Sequence, residues 1–358
     1  MRILTVLPPR EGFSPKAFGA VSLSVHDFAR YSRYRRDIQV MGLVPDEPFP
    51  DIPYVCVELN RRWFERRQRA YLQAILKQAE ETKPELIEVH NRPALALQLA
   101  GCTKVPVALH LHNDPQEMRK CQTAKQRTLL LRKMYVYCVS RWVRERLLDG
   151  VPESLSSKVF VTPCGIELPE KQAPKGQEIL YVGRMTPNKG VLEAVQAMAE
   201  VLPEFPGWNG RVIGGRRHSI SEELSDYEKQ IQEAATPAIF IDGFQPYEVT
   251  QAAVARAALM VVPSKWDEPF GRTALEGMAH GCAVITSGHG GLREVVEHHA
   301  LISAVAPDAL ASAMRMLMED DALRNMLQRG APQQAERYRI DICATMLDNA
   351  RATITGRP

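Results

Sequence analysis

No stretch of the 358-residue chain approaches the ~20 consecutive apolar residues that a membrane span needs. The apolar start, Met1-Arg-Ile-Leu-Thr-Val-Leu-Pro-Pro9, is too short for a secretory signal and lacks a small-residue cleavage site; it reads as a first buried strand of a cytoplasmic protein. The seven cysteines (Cys56, Cys102, Cys121, Cys138, Cys164, Cys282 and Cys343) form no Cys-x-x-Cys pair and no Cys/His cluster. An odd, scattered set excludes a disulfide framework and predicts reduced thiols in or near a core. The residues after the first strand, Leu7-Pro-Pro-Arg-Glu-Gly12, are not the Gly-x-Gly-x-x-Gly of a dinucleotide-binding dehydrogenase or epimerase. There is no internal repeat and no low-complexity tract. No nucleic-acid recognition motif accompanies the modest pI of 8.4, so nucleic acid is not expected as a partner.

At roughly 150 residues per domain, the length suggests about two domains. With 45% hydrophobic and 24% charged residues, the composition is that of an ordinary globular protein. The net charge of +3 is unevenly placed. Up to Glu170 there are 26 Lys and Arg against 19 Asp and Glu; the remainder has 19 against 23. Only the first half is therefore expected to meet something anionic.

Short apolar runs alternate with helical periodicity along the whole chain. In the second half, strands are expected at 178–183, 211–215, 238–243, 258–263 and 282–286, with helices at 190–202, 247–258 and 273–280. In the first half, strands are expected at 2–7, 37–43, 86–89, 105–111 and 135–139, with helices at 21–34, 61–82, 93–100 and 141–148. Such alternation means βαβ units and parallel sheets. The predicted architecture is α/β: two tandem, doubly wound, Rossmann-like domains, 1–166 and 167–338, with an inter-domain cleft as the ligand site. A last helix falls within 338–354.

Two segments of the second half carry chemistry. In Tyr181-Val-Gly-Arg-Met-Thr-Pro-Asn-Lys-Gly190, Arg184 and Lys189 lie between a strand end and a helix start, where a diphosphate gains from both cations and helix amides. Alone, the pair reads equally well as solvated loop cations. In Val262-Pro-Ser-Lys-Trp-Asp-Glu-Pro-Phe-Gly-Arg-Thr-Ala-Leu-Glu276, a loop with Glu268, Phe270 and Gly271 leads into a helix. Gly271 permits close backbone approach, and the amides of Arg272 and Thr273 point out of the helix start. Glu276 and Glu268 suit ribose and sugar hydroxyls; a Glu capping its helix is the plain alternative.

Taken together, Gly183-Arg184 with Lys189-Gly190, Glu268-Pro-Phe-Gly with Glu276 eight positions on, and Gly290-Gly291-Leu-Arg-Glu294 resemble the retaining family 4 glycosyltransferases of the GT-B fold. The match in order and spacing covers roughly residues 179–296. The resemblance implies that Arg184 and Lys189 hold the diphosphate of a nucleotide-sugar donor, that Glu276 holds the ribose, and that Glu268 contacts the transferred sugar. In the first half, Phe18-Gly19-Ala20 resembles the family's Gly-Gly loop against the donor, with Ala20 in place of the second Gly. His112, at a strand end, resembles the family's His facing the donor sugar, and His110 competes for the role. Ser140-Arg-Trp-Val resembles the family's Ser-x-x-Val, whereas Pro163-Cys-Gly departs from Pro-Asn-Gly at Cys164. The donor base would be read near Gly215-Arg216 and Gly243-Phe244. The last helix, assigned to 339–358, would cross back to the first domain.

The chain contains no Asp-x-Asp and no evident His/carboxylate cluster of metal spacing. Arg184, Lys189 and helix-end amides can instead neutralise a leaving diphosphate, so neither metal nor organic cofactor is expected. The expected activity is metal-independent, retaining transfer of a hexose-type sugar from a UDP- or GDP-sugar to a saccharide or lipid-linked saccharide in envelope or exported polysaccharide synthesis. The competing readings are a non-catalytic nucleotide-sugar-binding partner subunit and another nucleotide-sugar enzyme. Three basic stretches, Arg30–Arg36, Asn60–Arg69 with Trp63 and Phe64, and Arg119–Lys133, suit peripheral association with an anionic membrane. They equally suit solvated helix faces with Trp63 packed inward.

Overall fold

A computed structural model describes residues 1–15, 18–43, 47–59, 67–215 and 224–357. The chain forms two compact units, one of Met1–Gly165 with Ile340–Pro358, the other of Ile166–Arg339.

The first unit is built on seven strands, β1 (Ile3–Val6), β2 (Ile38–Gly42), β3 (Tyr54–Cys56), β4 (Leu86–His90), β5 (Val107–Leu111), β6 (Tyr135–Cys138) and β7 (Val159–Val161). They pair in parallel in the order β3-β2-β1-β4-β5-β6-β7. Every residue of β1, β4 and β5 is buried, as expected for central strands of a sheet covered on both faces. The crossovers carry α1 (Ala20–Tyr31), α2 (Arg67–Thr82), α3 (Pro93–Ala100), α4 (Ala124–Lys133) and α5 (Arg141–Leu148). The second unit has β8 (Glu178–Val182), β9 (Asn209–Ile213), β10 (Ile239–Gly243), β11 (Leu259–Val262), β12 (Ala283–Thr286) and β13 (Ala300–Ile302), all parallel in the order β10-β9-β8-β11-β12-β13. Its helices are α6 (Val191–Val201), α7 (Asp226–Ala234), α8 (Tyr247–Arg256), α9 (Arg272–Ala279), α10 (Leu292–Val296), α11 (Pro307–Glu319) and α12 (Asp321–Ala335).

In both sheets the strand order reverses beside the first strand, between β1 and β4 and between β8 and β11. Doubly wound sheets bind ligands at the carboxyl ends of strands at such switch points.

The last helix, α13 (Ile340–Thr355), belongs to the first unit. Its Arg351 reaches the buried Glu88 of β4 through two hydrogen bonds, Nε to Oε1 at 2.9 Å and Nη2 to Oε2 at 2.7 Å. Arg351 also pairs with Asp348 at 2.9 Å, and Asp348 accepts from Ser32 Oγ at 2.8 Å and from the Arg33 amide at 2.8 Å. A Cβ on Gly165 would lie 2.7 Å from Ile340 Cα, so this chain entry leaves no room for a side chain.

Two expectations are corrected by the packing. The thiols of Cys56 and Cys102 are exposed rather than near the core, while the other five are buried; all seven are free. Arg127, counted from sequence as part of a basic surface, is buried because its guanidinium donates to the carbonyls of Leu147, Cys121, Gln122 and Asp149. The stretch with Trp63 and Phe64 lies outside the described residues over 60–66, as does Arg216.

Candidate functional site

At the switch point of the second unit, the loops after β8 and β11 come together. The 263–268 loop packs on the start of α6: the Lys265 amide donates to Asn188 O at 2.9 Å, and a Cβ on Gly190 would lie 2.0 Å from Pro263 O. Gly190 takes a left-handed conformation with φ of 68°, which only glycine combines with so close an approach. These contacts set Lys189 beside Glu268, with Nζ 2.5 Å from Oε1. Ser264 Oγ donates to the same oxygen at 2.5 Å. The Lys189 ammonium also stands 5.0 Å from the Trp266 ring centroid. Trp266 Nε1 is buried with no hydrogen-bond partner among the described residues. Arg184, just beyond β8, is exposed.

The next helix is equally prepared. Gly271 precedes α9 at φ 106°, and a Cβ there would lie 2.4 Å from Leu292 Cδ1. The N-cap residue of α9 is Gly271, which has no side chain to cap with, and the amides around Arg272 and Thr273 form the positive end of the helix dipole. By contrast α7 is capped by Ser225, and in α6 the Tyr227 hydroxyl accepts from the Leu192 amide at 3.3 Å. Glu276, one turn into α9, accepts from Arg272 Nε at 3.0 Å and from the Tyr247 hydroxyl at 3.3 Å. The Phe270 side chain is buried edge-on against Tyr338, with centroids 5.5 Å apart, so it supports the loop as a packing element. Gly290 pairs with Glu268 through a backbone bridge, and the Gly291 amide donates to Glu268 O at 2.7 Å. Gly183, Gly214 and Gly243 form a glycine rim at the ends of β8, β9 and β10; the Gly214 amide donates to Gly243 O at 2.8 Å. Phe244 follows Gly243, partly buried.

In the first unit, Gly19 precedes α1. Its amide donates to Ser22 Oγ at 2.9 Å, and the Glu11 carboxylate accepts from the Ser22 amide at 3.1 Å. A Cβ on Gly19 would meet Glu11 Oε1 at 2.4 Å. A carboxylate thus already occupies the start of α1 beside Gly19 and Ala20, a contact that no local sequence pattern displays. Burial raises the Glu11 pKa, against the lowering effect of the Ser22 hydrogen bonds.

His112 follows β5 and is joined by a histidine that sequence spacing did not single out. The register of β4 on β5 sets His90 opposite His110. His90 Nδ1 lies 2.9 Å from His112 Nε2, and the His90 and His110 rings stack at 4.1 Å. Ring nitrogens of all three lie within 4.8 Å of one another, so the fold does assemble a potential metal-binding cluster. The His90–His112 gap, however, is closed by their own hydrogen bond. His110 Nε2 points to Glu88 Oε1 at 3.5 Å, longer than a well-formed hydrogen bond. Burial, with His110 nearby, lowers the His112 pKa to about 3, and burial likewise lowers those of His90 and His110. All three rings are therefore neutral near pH 7. His90 Nε2 is buried without a partner among the described residues and feels the Arg351 charge. A bare nitrogen there costs less than an unpaired N–H facing a cation. On this argument the tautomer assigned to His90 donates from Nδ1 to His112 Nε2, which assigns the His112 proton to Nδ1.

Two Rossmann-like units in one chain, each with its polar groups at the sheet's switch point, are the architecture of the GT-B fold. The chain matches "Glycosyl transferases group 1" over residues 167–334 and "Glycosyltransferase Family 4" over residues 21–170. It belongs to the family 4 glycosyltransferases and is a glycosyltransferase. It is 24% identical over 345 residues to the putative glycosyltransferase YtcC of Bacillus subtilis, covering 89% of this chain and 83% of that one. In fold it is similar to Anabaena Alr3699/HepE, solved with UDP and glucose, at a TM-score of 0.79, 19% identity and coverage of 99% and 100%. It is also similar to sucrose-phosphate synthase from Thermosynechococcus elongatus, at 0.80, 18% and the same coverage. Among the described residues no helix is long and apolar enough to cross a membrane.

Proposed function

We propose that the protein transfers a hexose-type sugar from a UDP- or GDP-sugar, with retention of configuration and without a metal, to a saccharide or lipid-linked acceptor of an envelope or exported polysaccharide. The observation that carries the donor assignment is the junction of Lys189, Glu268 and the glycine-capped start of α9, with the buried Trp266 N–H beside Lys189. A cation, the amides of a glycine-capped helix start and a buried indole donor stand on neighbouring loops, a combination that suits a diphosphate. That relatives solved with UDP share the fold supports the same reading.

In this scheme Arg184 and Lys189 hold the diphosphate, with the Gly271, Arg272 and Thr273 backbone at its oxygens. Glu276 accepts from the ribose hydroxyls, and Gly243 and Phe244 border the base. Lys189 exchanges Glu268 for phosphate when donor binds, which releases Glu268 to accept from a sugar hydroxyl. Gly19, Ala20 and His112 act on the donor from the first unit, His112 as a neutral Nδ1–H donor. The bond from the anomeric carbon to the diphosphate oxygen breaks and a bond to the acceptor hydroxyl oxygen forms. The hydroxyl proton passes to the leaving oxygen on the same face. Charge building on that oxygen is met by fixed cations and amides, so no divalent ion is needed. Exposed Arg119, Lys125, Arg132 and Lys133 near Leu129 are the groups through which an anionic membrane surface would be met.

The test uses purified protein and radiolabelled UDP- and GDP-sugars. Hydrolysis or transfer is expected to survive EDTA, and Lys189→Ala should weaken nucleotide binding at least tenfold, the worth of a charge-assisted contact. Unchanged nucleotide affinity in Lys189→Ala would remove the donor assignment, and activity restored only by a divalent ion would remove the metal-free one.

A further inference from the structure

Between the sheet of the first unit and helices α1 and α13 lies a small interior cavity. Its polar lining is Thr5, Glu88, His90, His110 and Arg351, and the rest is apolar, Val25 and Ala29 of α1 among it. Every lining residue is buried. The cavity offers a water-sized sphere about 10 Å³. That is roughly the 10–15 Å³ one ordered water needs, and too little for any organic group.

Two polar atoms on this lining have unmet demands. His90 Nε2 and His110 Nε2 are both buried without a hydrogen-bond partner among the described residues. Their rings stack at 4.1 Å and 12°, so the two stand side by side on one wall. Buried polar atoms are nearly always paired, with protein or with ordered water. The two demands are opposite in kind. In the tautomer assigned above, His90 Nε2 carries no proton and calls for a donor. His110 Nε2 faces Glu88 Oε1 at 3.5 Å, which assigns it the proton and leaves it calling for a nearer acceptor.

The charges narrow the occupant further. Arg351 pairs with Glu88 at 2.7 Å and with Asp348 at 2.9 Å. An added anion would meet Glu88 and an added cation would meet Arg351, at close range and away from bulk water. A neutral molecule that both donates and accepts meets neither objection. The carboxylate also has capacity for it. Of its roughly four acceptor positions, Arg351 takes two, at 2.9 and 2.7 Å, and Thr5 Oγ1 a third at a long 3.4 Å.

We propose that this cavity is a permanent site for one water molecule, which accepts from His110 Nε2–H, donates to His90 Nε2 and gives its second hydrogen to Glu88. His90 is thereby held at both ring nitrogens, Nδ1 by His112 at 2.9 Å and Nε2 by the water. It is a positioning residue, acting on the reaction through His112. The chain from α13 is continuous in hydrogen bonds, from Arg351 to Glu88, the water, His90 and His112. The positioning role rests on the part given above to His112 at the donor sugar; the water site does not.

The test is water ¹⁷O magnetic relaxation dispersion on the full chain, with a high-resolution crystal structure of the same protein. Val25→Ile adds one methylene to the cavity wall, close to the volume of one water, and keeps a β-branched residue in α1. Wild type should hold one more long-lived internal water than Val25→Ile, and its density should lie within hydrogen-bond distance of both Nε2 atoms. The His90 Nε2 ¹⁵N resonance should be that of an accepting nitrogen in wild type and should move to that of a free one in the variant. With the His90 ring held from one side only, kcat should fall about twofold to tenfold, the worth of one hydrogen bond, at unchanged donor KM. Ala29→Val fills the same cavity and gives the same readings should Val25→Ile not fold. Loss of the water and a moved His90 resonance with kcat unaltered would establish the water site and refute the part given to His112. No water at the two Nε2 atoms in wild type, or one His90 Nε2 resonance shared by wild type and the filled variant, would overturn the proposal.

Discussion

Replacing Arg351 by Met removes the charge that neutralises Glu88 while leaving most of the side-chain volume. Glu88 has no exposure at all, and Arg351 contributes two of the bonds to its carboxylate. Burial raises the Glu88 pKa, but the Arg351 charge and hydrogen bonds, with His110 adding, overcome it and hold the carboxyl well below its usual range. Breaking a buried pair from one side costs about 3–5 kcal/mol. At roughly 2–4 °C per kcal/mol for a unit of this size, the first thermal transition should fall by about 6–20 °C. The pH dependence should also change sign. A carboxylate held low in the folded state stabilises above its unfolded pKa of about 4.3, and that stabilisation fades as pH falls below it. In Arg351→Met burial outweighs the remaining contacts to His110 and Thr5, Glu88 titrates above its unfolded value, and stability should instead decline as pH rises from about 4.3 toward 7. The double variant Glu88→Gln/Arg351→Met should recover most of the loss, because neither ion then remains buried and alone. Thermal unfolding followed by circular dichroism at pH 4, 5.5 and 7 reads both effects. A variant within 2 °C of wild type, or one that keeps the wild-type slope, would show that the C-terminal helix is not locked to β4 by this charge.

Two further outcomes follow from named contacts. His90→Leu should lower kcat about tenfold with little change in KM, while His90→Asn, whose amide nitrogen replaces Nδ1 as donor, should restore it; histidine ¹⁵N shifts should report His112 as the Nδ1–H form in wild type and His90→Asn only. Gly214→Ala should yield unfolded or insoluble protein, since its Cβ would lie 1.8 Å from Gly183 O, whereas Gly243→Ala, with nothing within 4 Å, should cost only the roughly 1–2 kcal/mol of a left-handed alanine, as thermal unfolding would show.

The central strands were legible because parallel, doubly covered strands are apolar runs, and β1, β4, β5, β8, β11 and β12 are such runs ending in loops. The edges were not. Strands β3, β7 and β13 are three residues long and partly exposed, too short for any periodicity to mark. Helix α4 was read as a basic patch because its one inward cation, Arg127, satisfies four carbonyls that sequence spacing cannot display. The glycine–Arg/Lys and Glu-Pro-Phe-Gly segments were readable because their residues are local: each follows a strand and opens a helix. Phe270 was drawn into the site by its motif although its ring serves packing.

What escaped reading is long-range pairing, and it is concentrated in the first unit. His90 meets His112 only because β4 lies beside β5, and Glu88 meets Arg351 across a separation of 263 residues. These partnerships form one continuous stack on the β4 strand: Arg351 on Glu88, Glu88 beside His110, His110 stacked on His90, and His90 bonded to His112. The charge of α13 therefore sets the field in which His90 chooses its tautomer. Without Arg351, Nε2 of His90 would lose its reason to stay bare and Glu88 its reason to stay ionised. An Arg351→Met protein that still folds in the cold should accordingly show a mixed His112 tautomer by ¹⁵N shifts, even with every residue around His112 intact. A His112 signal unchanged from wild type would mean that the His90 tautomer is fixed by burial alone.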